Sequence, residues 1–287
     1  MEQIITHKEL DTLISLLDDN EVWPDVADRI LDLGLSVVPN LEKTWEKTQN
    51  IRLQERLENI IQEVQFRNVC HDLINWDLMG GKDLLNAACI IARIQYPELK
   101  IETLFDSVSN IHQNFWAEIN DDQTAYEKVK IINHEFYDVQ KFSGNYSNYF
   151  APQNNFVNKV IETHKGNPIT LGIIYLTIAK YLELPIYGIN LPKNFILAYR
   201  NLNAKKREDS ILFYINPYNK GIILSKTEIE HFLYQQQINY DDSYFYPCSN
   251  YNIIERLLRN LIYSYETTGQ LEKIQKLHQL LNILKRK

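Results

Sequence analysis

The sequence has few cysteines, and they are not arranged as in disulfide-rich or zinc-binding proteins. It contains three cysteines in 287 residues, with no Cys-x-x-Cys pair and no cluster of cysteine with histidine. This usage disfavours a disulfide framework and a zinc site. We therefore expect Cys70, Cys89 and Cys248 to be reduced thiols of a cytoplasmic protein that holds no metal and no cofactor.

Long apolar runs are also missing. No stretch approaches the roughly 18 uninterrupted apolar residues that a transmembrane helix needs. The N-terminal Met1-Glu2-Gln3 lacks the basic cap and apolar run of a signal peptide. We expect no membrane partner and no secretion.

Positive charge is in deficit, because 30 Lys and Arg stand against 37 Asp and Glu, giving a net charge of −7. An acidic chain argues against a broad phosphate-binding surface, and we expect no nucleic-acid partner. Basic residues do gather near the C-terminus, at Arg256, Arg259 and residues 285–287. We interpret them as a solvated face rather than an RNA site.

What is present is the composition of a folded globular protein, with 45% hydrophobic and 23% charged residues. Residues 1–69 carry the spacing of short amphipathic helices. Apolar residues three and four positions apart, such as Leu10, Leu13 and Leu17, give each predicted helix one buried face. Four such helices, the last over 51–66, form two pairs that resemble HEAT-like repeats. Two pairs are too few for a long solenoid, so they are expected to cap the next domain.

That domain is predicted over residues 70–247, with a helical lead-in over 70–150 and a core over 151–247. Between the two lies a stretch, 142–155, in which Gly, Pro, Asn and Ser are interleaved with aromatics. We interpret it as a long ordered loop, since aromatic side chains need a surface to pack on.

Within the core of this domain the spacing of apolar residues changes from that of a helix to that of strands. Asn167 and Pro168 begin a predicted helix, because Asn is a favoured N-cap and Pro is tolerated in the first turn. Three stretches rich in Ile, Phe and Tyr follow and are predicted to be strands. They span 186–191, 195–199 and 211–215. Residues 248–287 return to helical spacing and resemble a tetratricopeptide-like helical hairpin.

Five motifs in order resemble the transglutaminase-like superfamily, and more narrowly its SirB-type branch. They are Phe142-Ser-Gly144-Asn145, Tyr149-Phe-Ala-Pro152-Gln-Asn154-Asn155, Lys165-Gly166-Asn167-Pro168-Ile169-Thr170-Leu171, Leu184-Pro185-Ile-Tyr-Gly188-Ile-Asn-Leu-Pro192 and Ile215-Asn216-Pro217-Tyr218. Each motif alone is weak, but their order is specific. The resemblance implies a mostly helical α+β fold whose papain-like core packs one helix on a small antiparallel sheet.

The resemblance also implies where a catalytic triad would stand. Active relatives hold a cysteine at the first turn of the core helix, a histidine on the second strand and an Asp or Asn on the third. The helix start favours thiolate, the histidine acts as base, and the third residue orients it. Here the three positions fall at Pro168, Asn194 and Asn216. Because proline has no nucleophile and an amide takes up no proton near neutral pH, no catalytic residue is expected.

Two interpretations of the loop and the helix start remain open. Turn chemistry explains the asparagines by itself, because Asn bonds its own backbone. Alternatively, amides and tyrosines line a groove for a peptide or another neutral polar ligand. The predicted groove residues are Asn145, Tyr149, Asn154, Asn155, Gly166 and Asn167.

The sequence thus supports a catalytically inactive transglutaminase-like protein that acts as a protein- or peptide-binding module. The alternative is a cysteine-type protease or amidase with a relocated nucleophile, in which one thiol would be unusually reactive. A third reading, a purely structural subunit, would require an exposed apolar patch and obligate oligomerisation.

Overall fold

The structure, a computed structural model, describes residues 7–285 and divides into two compact units, one ending at Asn75 and one beginning at Trp76. The described α-helices are α1 (His7–Leu16), α2 (Trp23–Leu31), α3 (Val38–Lys47), α4 (Ile51–Leu78), α5 (Leu84–Ala92), α6 (Ile101–Gln113), α7 (Ala125–Asn133), α8 (Val157–Thr163), α9 (Pro168–Tyr181), α10 (Lys226–Gln235), α11 (Asn250–Glu266) and α12 (Leu271–Leu284). The described strands are β1 (Ser143–Gly144), β2 (Lys165–Gly166), β3 (Ile186–Ile189), β4 (Ile196–Arg200), β5 (Ile211–Asn216) and β6 (Ile222–Leu224). The mostly helical α+β class predicted from the sequence is confirmed.

The first unit packs its helices around one apolar core. The residues selected by helical spacing meet there, and Leu17, Ile30 and Leu41 are fully buried. Met1-Glu2-Gln3, on which the absence of a signal peptide was predicted, lies outside the described residues. The likeness of these helices to HEAT repeats stays a prediction.

Helix α4 is longer than the predicted 51–66, because its apolar stripe continues beyond residue 66. Val69, Leu73 and Trp76 are all buried and keep the three-and-four spacing. The helix ends before Gly80 and Gly81, which both adopt positive φ. The domain boundary predicted between residues 69 and 70 therefore falls inside a continuous helix.

Helix α9 lies at the centre of the second unit. It packs against β3 and β4 and also contacts α5, α6, α8 and α11. Because it is covered on all sides, nearly every side chain is buried and the helix has no polar stripe. Gly172 lets α9 pack closely on the segment before β4, since a Cβ at that position would lie 2.6 Å from the ring of Phe195.

The main sheet is antiparallel, with its four strands in the order β3-β4-β5-β6. Both of its faces are covered. Phe195 and Leu197 face α9, whereas Ile196 and Ala198 join a second apolar cluster with α10. This double burial explains the unbroken apolar run of β4. The prediction of three strands omitted β6, whose three residues are too few to show an alternating pattern.

A two-residue parallel pair, β1 with β2, joins the start of the long loop to the segment before α9. Further along, α11 and α12 form the expected helical hairpin, and α11 packs on α5 and α9. The boundary predicted between residues 247 and 248 thus falls inside the second unit, and the likeness to a tetratricopeptide repeat stays a prediction. Across residues 7–285, none of the helices is both long and apolar enough to cross a bilayer.

Candidate functional site

The first turn of α9 is closed by its own capping residues. Asn167 Oδ1 accepts hydrogen bonds from the backbone N–H groups of Ile169, at 3.1 Å, and Thr170, at 3.0 Å. In return the Asn167 N–H donates to Thr170 Oγ1 at 3.2 Å. Pro168, at the first helical position, is buried and offers no N–H. The N–H groups that would stabilise a thiolate here are therefore already bonded.

The other two triad-equivalent positions lie at the end of the sheet next to this turn. Asn194 precedes β4, and its neighbour Phe195 packs on Gly172, one helical turn from Pro168. Asn216 is the last residue of β5, beside the start of β4 in the antiparallel register. The structure thus brings the three predicted positions to one end of the core. Their equivalence with a catalytic triad stays a prediction.

Asn216 is committed to a turn. Its Oδ1 accepts hydrogen bonds from the backbone N–H groups of Tyr218, at 3.1 Å, and Asn219, at 3.2 Å. Asn194 is half-buried in the turn that Lys193 enters with φ of 60°, and its backbone N–H donates to the Leu191 carbonyl at 3.1 Å. Neither asparagine can act as a base, because an amide nitrogen carries no free lone pair for a proton.

Four of the predicted groove residues are buried rather than presented to a ligand: Asn154, Asn155, Gly166 and Asn167. Their amides bond one another and the backbone. Asn167 Nδ2 donates to Asn155 Oδ1 at 2.7 Å, and Asn155 Nδ2 donates to Ser264 Oγ of α11 at 3.2 Å. Asn154 receives a bond from the half-buried Asn145 at 2.9 Å and donates to the carbonyls of residues 148 and 149. These amides hold the loop in place, which agrees with the turn-chemistry interpretation.

Aromatic side chains, by contrast, form a connected patch on the outside of the loop. We call it the aromatic surface; it consists of Tyr146, Tyr149, Phe150, Tyr218 and Tyr263. Neighbouring ring centroids lie 4.7 Å apart for 146 and 218, 5.7 Å for 218 and 149, 5.0 Å for 149 and 150, and 5.3 Å for 150 and 263. All but Tyr218 are exposed, between 40% and 65%. Of the predicted groove residues, Tyr149 alone belongs to this surface.

Gly144 and the turn that carries Tyr218 position this surface. A Cβ on Gly144 would lie 2.5 Å from the ring of Tyr218, so glycine is required for the ring to pack there. Tyr146 also donates from its hydroxyl to the Tyr218 carbonyl at 2.8 Å. Burial raises the pKa of Tyr218 to about 12, with a further contribution from Tyr146 and Tyr149. The Tyr218 phenol is therefore neutral at physiological pH.

Sequence reasoning missed most of this surface. Phe150 and Tyr218 were noted only as parts of motifs, and Tyr263 only falls within the predicted helical hairpin over 248–287. Tyr149 and Tyr263 are more than a hundred positions apart, and no spacing rule joins residues at that separation. Their exposure on a folded surface is what identifies them, and it is visible only in three dimensions.

None of the three thiols has the lowered pKa of an activated nucleophile. Burial raises the pKa of Cys70 and Cys248 to about 11 and that of Cys89 to about 12. No thiol hydrogen-bonds a histidine within residues 7–285. A thiol with so high a pKa is almost entirely protonated at neutral pH, and the protonated form is a poor nucleophile.

A cavity of about 280 Å³ lies at the other end of α9. Its walls come from the start of α5, the last turns of α9, β3 and the start of α11, and they include Lys180, Tyr187 and Cys248. None of the predicted site residues lines this cavity. It is therefore separate from the triad-equivalent end of the core.

Comparison with known proteins supports the resemblance. A sequence family described as the transglutaminase-like superfamily matches residues 102–259, which is more than half of the chain. The matched segment begins in α6 and ends in α11, so it contains α9, the main sheet and all of the predicted site residues.

Several relatives match at low identity. A UPF0162 protein of Xylella fastidiosa (strain 9a5c) is 26% identical over 196 residues, which cover 66% of this chain and 67% of the relative. A UPF0162 protein of Vibrio cholerae is 24% identical over 160 residues, 56% of this chain and 55% of the relative. The F-box only protein 21 of Mus musculus is 28% identical over 152 residues, 52% of this chain and 23% of that protein. No solved structure matches the chain significantly.

Proposed function

The chain belongs to the transglutaminase-like superfamily, and we propose that it is a catalytically inactive member that binds a protein or peptide through the aromatic surface. The observation that carries this proposal is the connected row of rings, all but Tyr218 exposed, in a domain whose core helix has a first turn that is already capped. Because the three cysteines are unpaired, we assign this role to a reducing compartment such as the cytoplasm.

The proposed inactivity follows from the chemistry of the core. At the nucleophile position Pro168 has no reactive atom, and at the base position Asn194 takes up no proton. Loss of the nucleophile or the base of a triad costs orders of magnitude in rate. The helix start is filled by Asn167 rather than left open for a thiolate. A core of this kind retains shape and stability without a chemical step.

The proposed binding follows from the composition and rigidity of the surface. Tyrosine and phenylalanine are enriched at protein interfaces because they bury much area at low cost in side-chain entropy. Here the rings are held against one another and, through Gly144 and the buried amides, against the core. A pre-organised surface loses little further entropy on binding, which raises affinity.

A displayed library of random peptides, panned on the full chain, tests the binding function. Recovered peptides are expected to lose about tenfold or more in affinity when Tyr149 or Tyr263 is changed to alanine, as central aromatic contacts do. Tyr234→Ala is the matched control, since Tyr234 is 82% exposed and has no ring partner among the described residues. If the two surface variants bind every recovered peptide as well as the unchanged protein, the aromatic surface is not the binding site.

Alkylation of the thiols separates this function from the cysteine-type enzyme. With pKa values of about 11 to 12, all three cysteines are expected to react with iodoacetamide more slowly than free cysteine at about pH 7.5. Denatured protein, in which burial is removed, provides the control and is expected to react at the ordinary rate. A single thiol that reacts faster than free cysteine in the folded chain would instead support a relocated nucleophile.

A further inference from the structure

Arg256 lies beside the aromatic surface with no carboxylate partner. Arg256 is on α11, and its Nη1 donates to Asn190 Oδ1 at 2.6 Å and to the Leu191 carbonyl at 2.7 Å. Both acceptors are neutral. The Nε–H and the two Nη2 hydrogens have no acceptor among residues 7–285. The sequence pattern grouped Arg256 with a solvated basic face, whereas in the structure it is half-buried against the turn at Asn190.

Three other arginines of the chain have the carboxylate partner that Arg256 lacks. Arg259, one turn further along α11, donates to Glu255 at 2.7 Å. Arg67 lies 3.0 Å from Glu63, and Arg207 lies 3.3 Å from Asp242. These three are about half exposed or more and have a carboxylate neighbour. Arg56, Arg200 and Arg256 are half-buried and form no ion pair within residues 7–285. Arg56 lies over the ring of Trp23 and Arg200 over that of Tyr187, whereas Arg256 is bonded only to neutral acceptors.

Desolvation dominates the electrostatics around Arg256. Loss of solvent lowers the pKa of its guanidinium, and the ionisable groups that oppose this shift are Tyr149 and Cys248. Burial raises the pKa of both of these groups, that of Cys248 to about 11. At neutral pH Arg256 is therefore a cation in a partly desolvated place without an anion to balance it, which is costly unless a ligand supplies one.

The position of Arg256 relative to the aromatic surface defines the kind of anion that would bind to it. Tyr149, which it influences electrostatically, is the middle ring of the five. Tyr263 is seven residues further along α11 and so projects from the same face of the helix. A peptide lying across the rings would therefore pass Arg256 along its length rather than at its end. The free edge of a guanidinium, Nε with Nη2, has the geometry of a bidentate partner for a carboxylate.

We propose that Arg256 binds the side-chain carboxylate of an aspartate or glutamate in a partner peptide whose neighbouring residues contact the aromatic surface. The site rests on the proposed binding function and specifies its partner as an acidic segment with flanking apolar or aromatic residues. Arg256 selects for the carboxylate, and the rings supply most of the buried area.

The test uses peptides recovered by panning an internal-peptide library on the full chain, synthesised with blocked ends so that side chains carry the only carboxylates. Affinity is measured by fluorescence anisotropy for the unchanged protein, Arg256→Gln, Arg256→Lys and the control Arg259→Gln. Recovered sequences are expected to be enriched in Asp or Glu. Arg256→Gln is expected to weaken binding by about tenfold or more, Arg256→Lys by less, and Arg259→Gln by under about twofold.

A second arm separates binding from a structural role of Arg256, because its contacts to Asn190 and Leu191 also hold a turn. Each acidic peptide is remade with Gln in place of Glu, or Asn in place of Asp, and measured against both proteins. If Arg256 contacts the carboxylate, the change weakens binding to the unchanged protein but hardly affects binding to Arg256→Gln. A merely structural arginine would give additive losses. Arg256→Lys keeps the charge and donors to the turn, so it reports on binding even if Arg256→Gln is unstable.

Two outcomes would overturn the inference, and they differ in whether the proposed binding function survives. Peptides that depend on Tyr149 but show no acidic enrichment and no coupling to Arg256 would contradict the carboxylate site and leave the binding function intact. Failure to recover any peptide that depends on Tyr149 would contradict the binding function, and the carboxylate site with it.

Discussion

Asn167 connects three parts of the second unit through a single side chain. Its oxygen caps the first turn of α9, and its nitrogen donates to Asn155, which in turn donates to Ser264 of α11. All of these groups are buried. A buried amide that loses its partner keeps the full cost of desolvation, so the network acts as a unit.

Replacement of Asn167 by alanine is therefore expected to destabilise the protein by about 2–4 kcal/mol, from the lost cap and the unpaired Asn155. Urea unfolding of the full chain measures this change. Ser225→Ala is the matched control, because Ser225 caps α10 with an exposed capping box. It is expected to cost about 1 kcal/mol. Equal losses for the two variants would show that the buried network adds nothing to the cap.

At this scale the sequence predicts the cap but not the network. An Asn-Pro pair at a helix start is a local pattern, and the expected N-cap at Asn167 is what the structure contains. The bond from Asn155 to Ser264 joins residues 109 positions apart. Local rules say nothing about such pairs, which is why Asn154, Asn155 and Asn167 also fitted a ligand groove equally well.

Among the elements, the turn between β5 and β6 is fixed from outside the sheet. Asn133, at the end of α7, donates to the Gly221 carbonyl at 2.8 Å and accepts from the hydroxyl of Tyr175 on α9 at 3.0 Å. Gly221 has a φ of 64°, and a Cβ there would overlap the Asn133 amide. The short strand β6 is thus aligned by a helix that precedes it by almost ninety residues.

Alanine at Gly221 is expected to destabilise the chain by about 2–4 kcal/mol, which combines the cost of a left-handed alanine with displacement of the amide. Gly269→Ala separates the two causes. Gly269 has a similar φ of 70° but no atom near the added Cβ, so it is expected to cost about 1 kcal/mol. Thermal unfolding of both variants measures the difference; comparable losses would mean that the Asn133 contact carries no weight.

Elements were predicted where they are long and periodic. The core helix and the strands β3, β4 and β5 begin within a residue of the expected positions, because their apolar runs are unbroken. The end of α4 and the strand β6 were not predicted, since both depend on contacts made after folding. Polar residues inside α4 resemble a boundary until Val69 and Leu73 are seen to be buried.

Over the whole molecule, as far as residues 7–285 show it, buried phenols are among the groups whose ionisation lowers stability at high pH. Tyr137, Tyr175 and Tyr214 donate hydrogen bonds to the Pro217 carbonyl, Asn133 and the Phe245 carbonyl. Burial raises the pKa of all three above the ordinary value. In the unfolded chain the same phenols ionise near their normal pKa of about 10.

The protein is therefore expected to be stable up to about pH 10 with respect to these groups and to lose stability above it. The folded state retains protons that the unfolded state releases, so the free energy of unfolding falls by up to about 1.4 kcal/mol per tyrosine and pH unit. Urea midpoints between about pH 8 and about pH 11 measure the decline. Tyr175→Phe is expected to make it shallower. A midpoint that does not move above about pH 10 would contradict the expectation.

At this scale family and fold class follow from the sequence, whereas the arrangement of its surface does not. Five short motifs suffice for the family because they fix the core helix and the sheet. The aromatic surface and the unpaired Arg256 arise where a loop, a strand end and α11 meet. The grouping of Arg256 with the basic residues near the C-terminus predicted a solvated side chain, and only the packing of α11 against the turn at Asn190 shows otherwise. The remaining basic residues Arg286 and Lys287 lie outside the described part of the chain.

The parallel pairing of Ser143–Gly144 with Lys165–Gly166 closes residues 145–164 into an excursion whose two ends are tied by main-chain hydrogen bonds. Such bonds do not depend on which side chains the excursion carries. Substitutions at its exposed positions, such as 146 and 149, can therefore change the surface while the helix and sheet beneath keep their geometry.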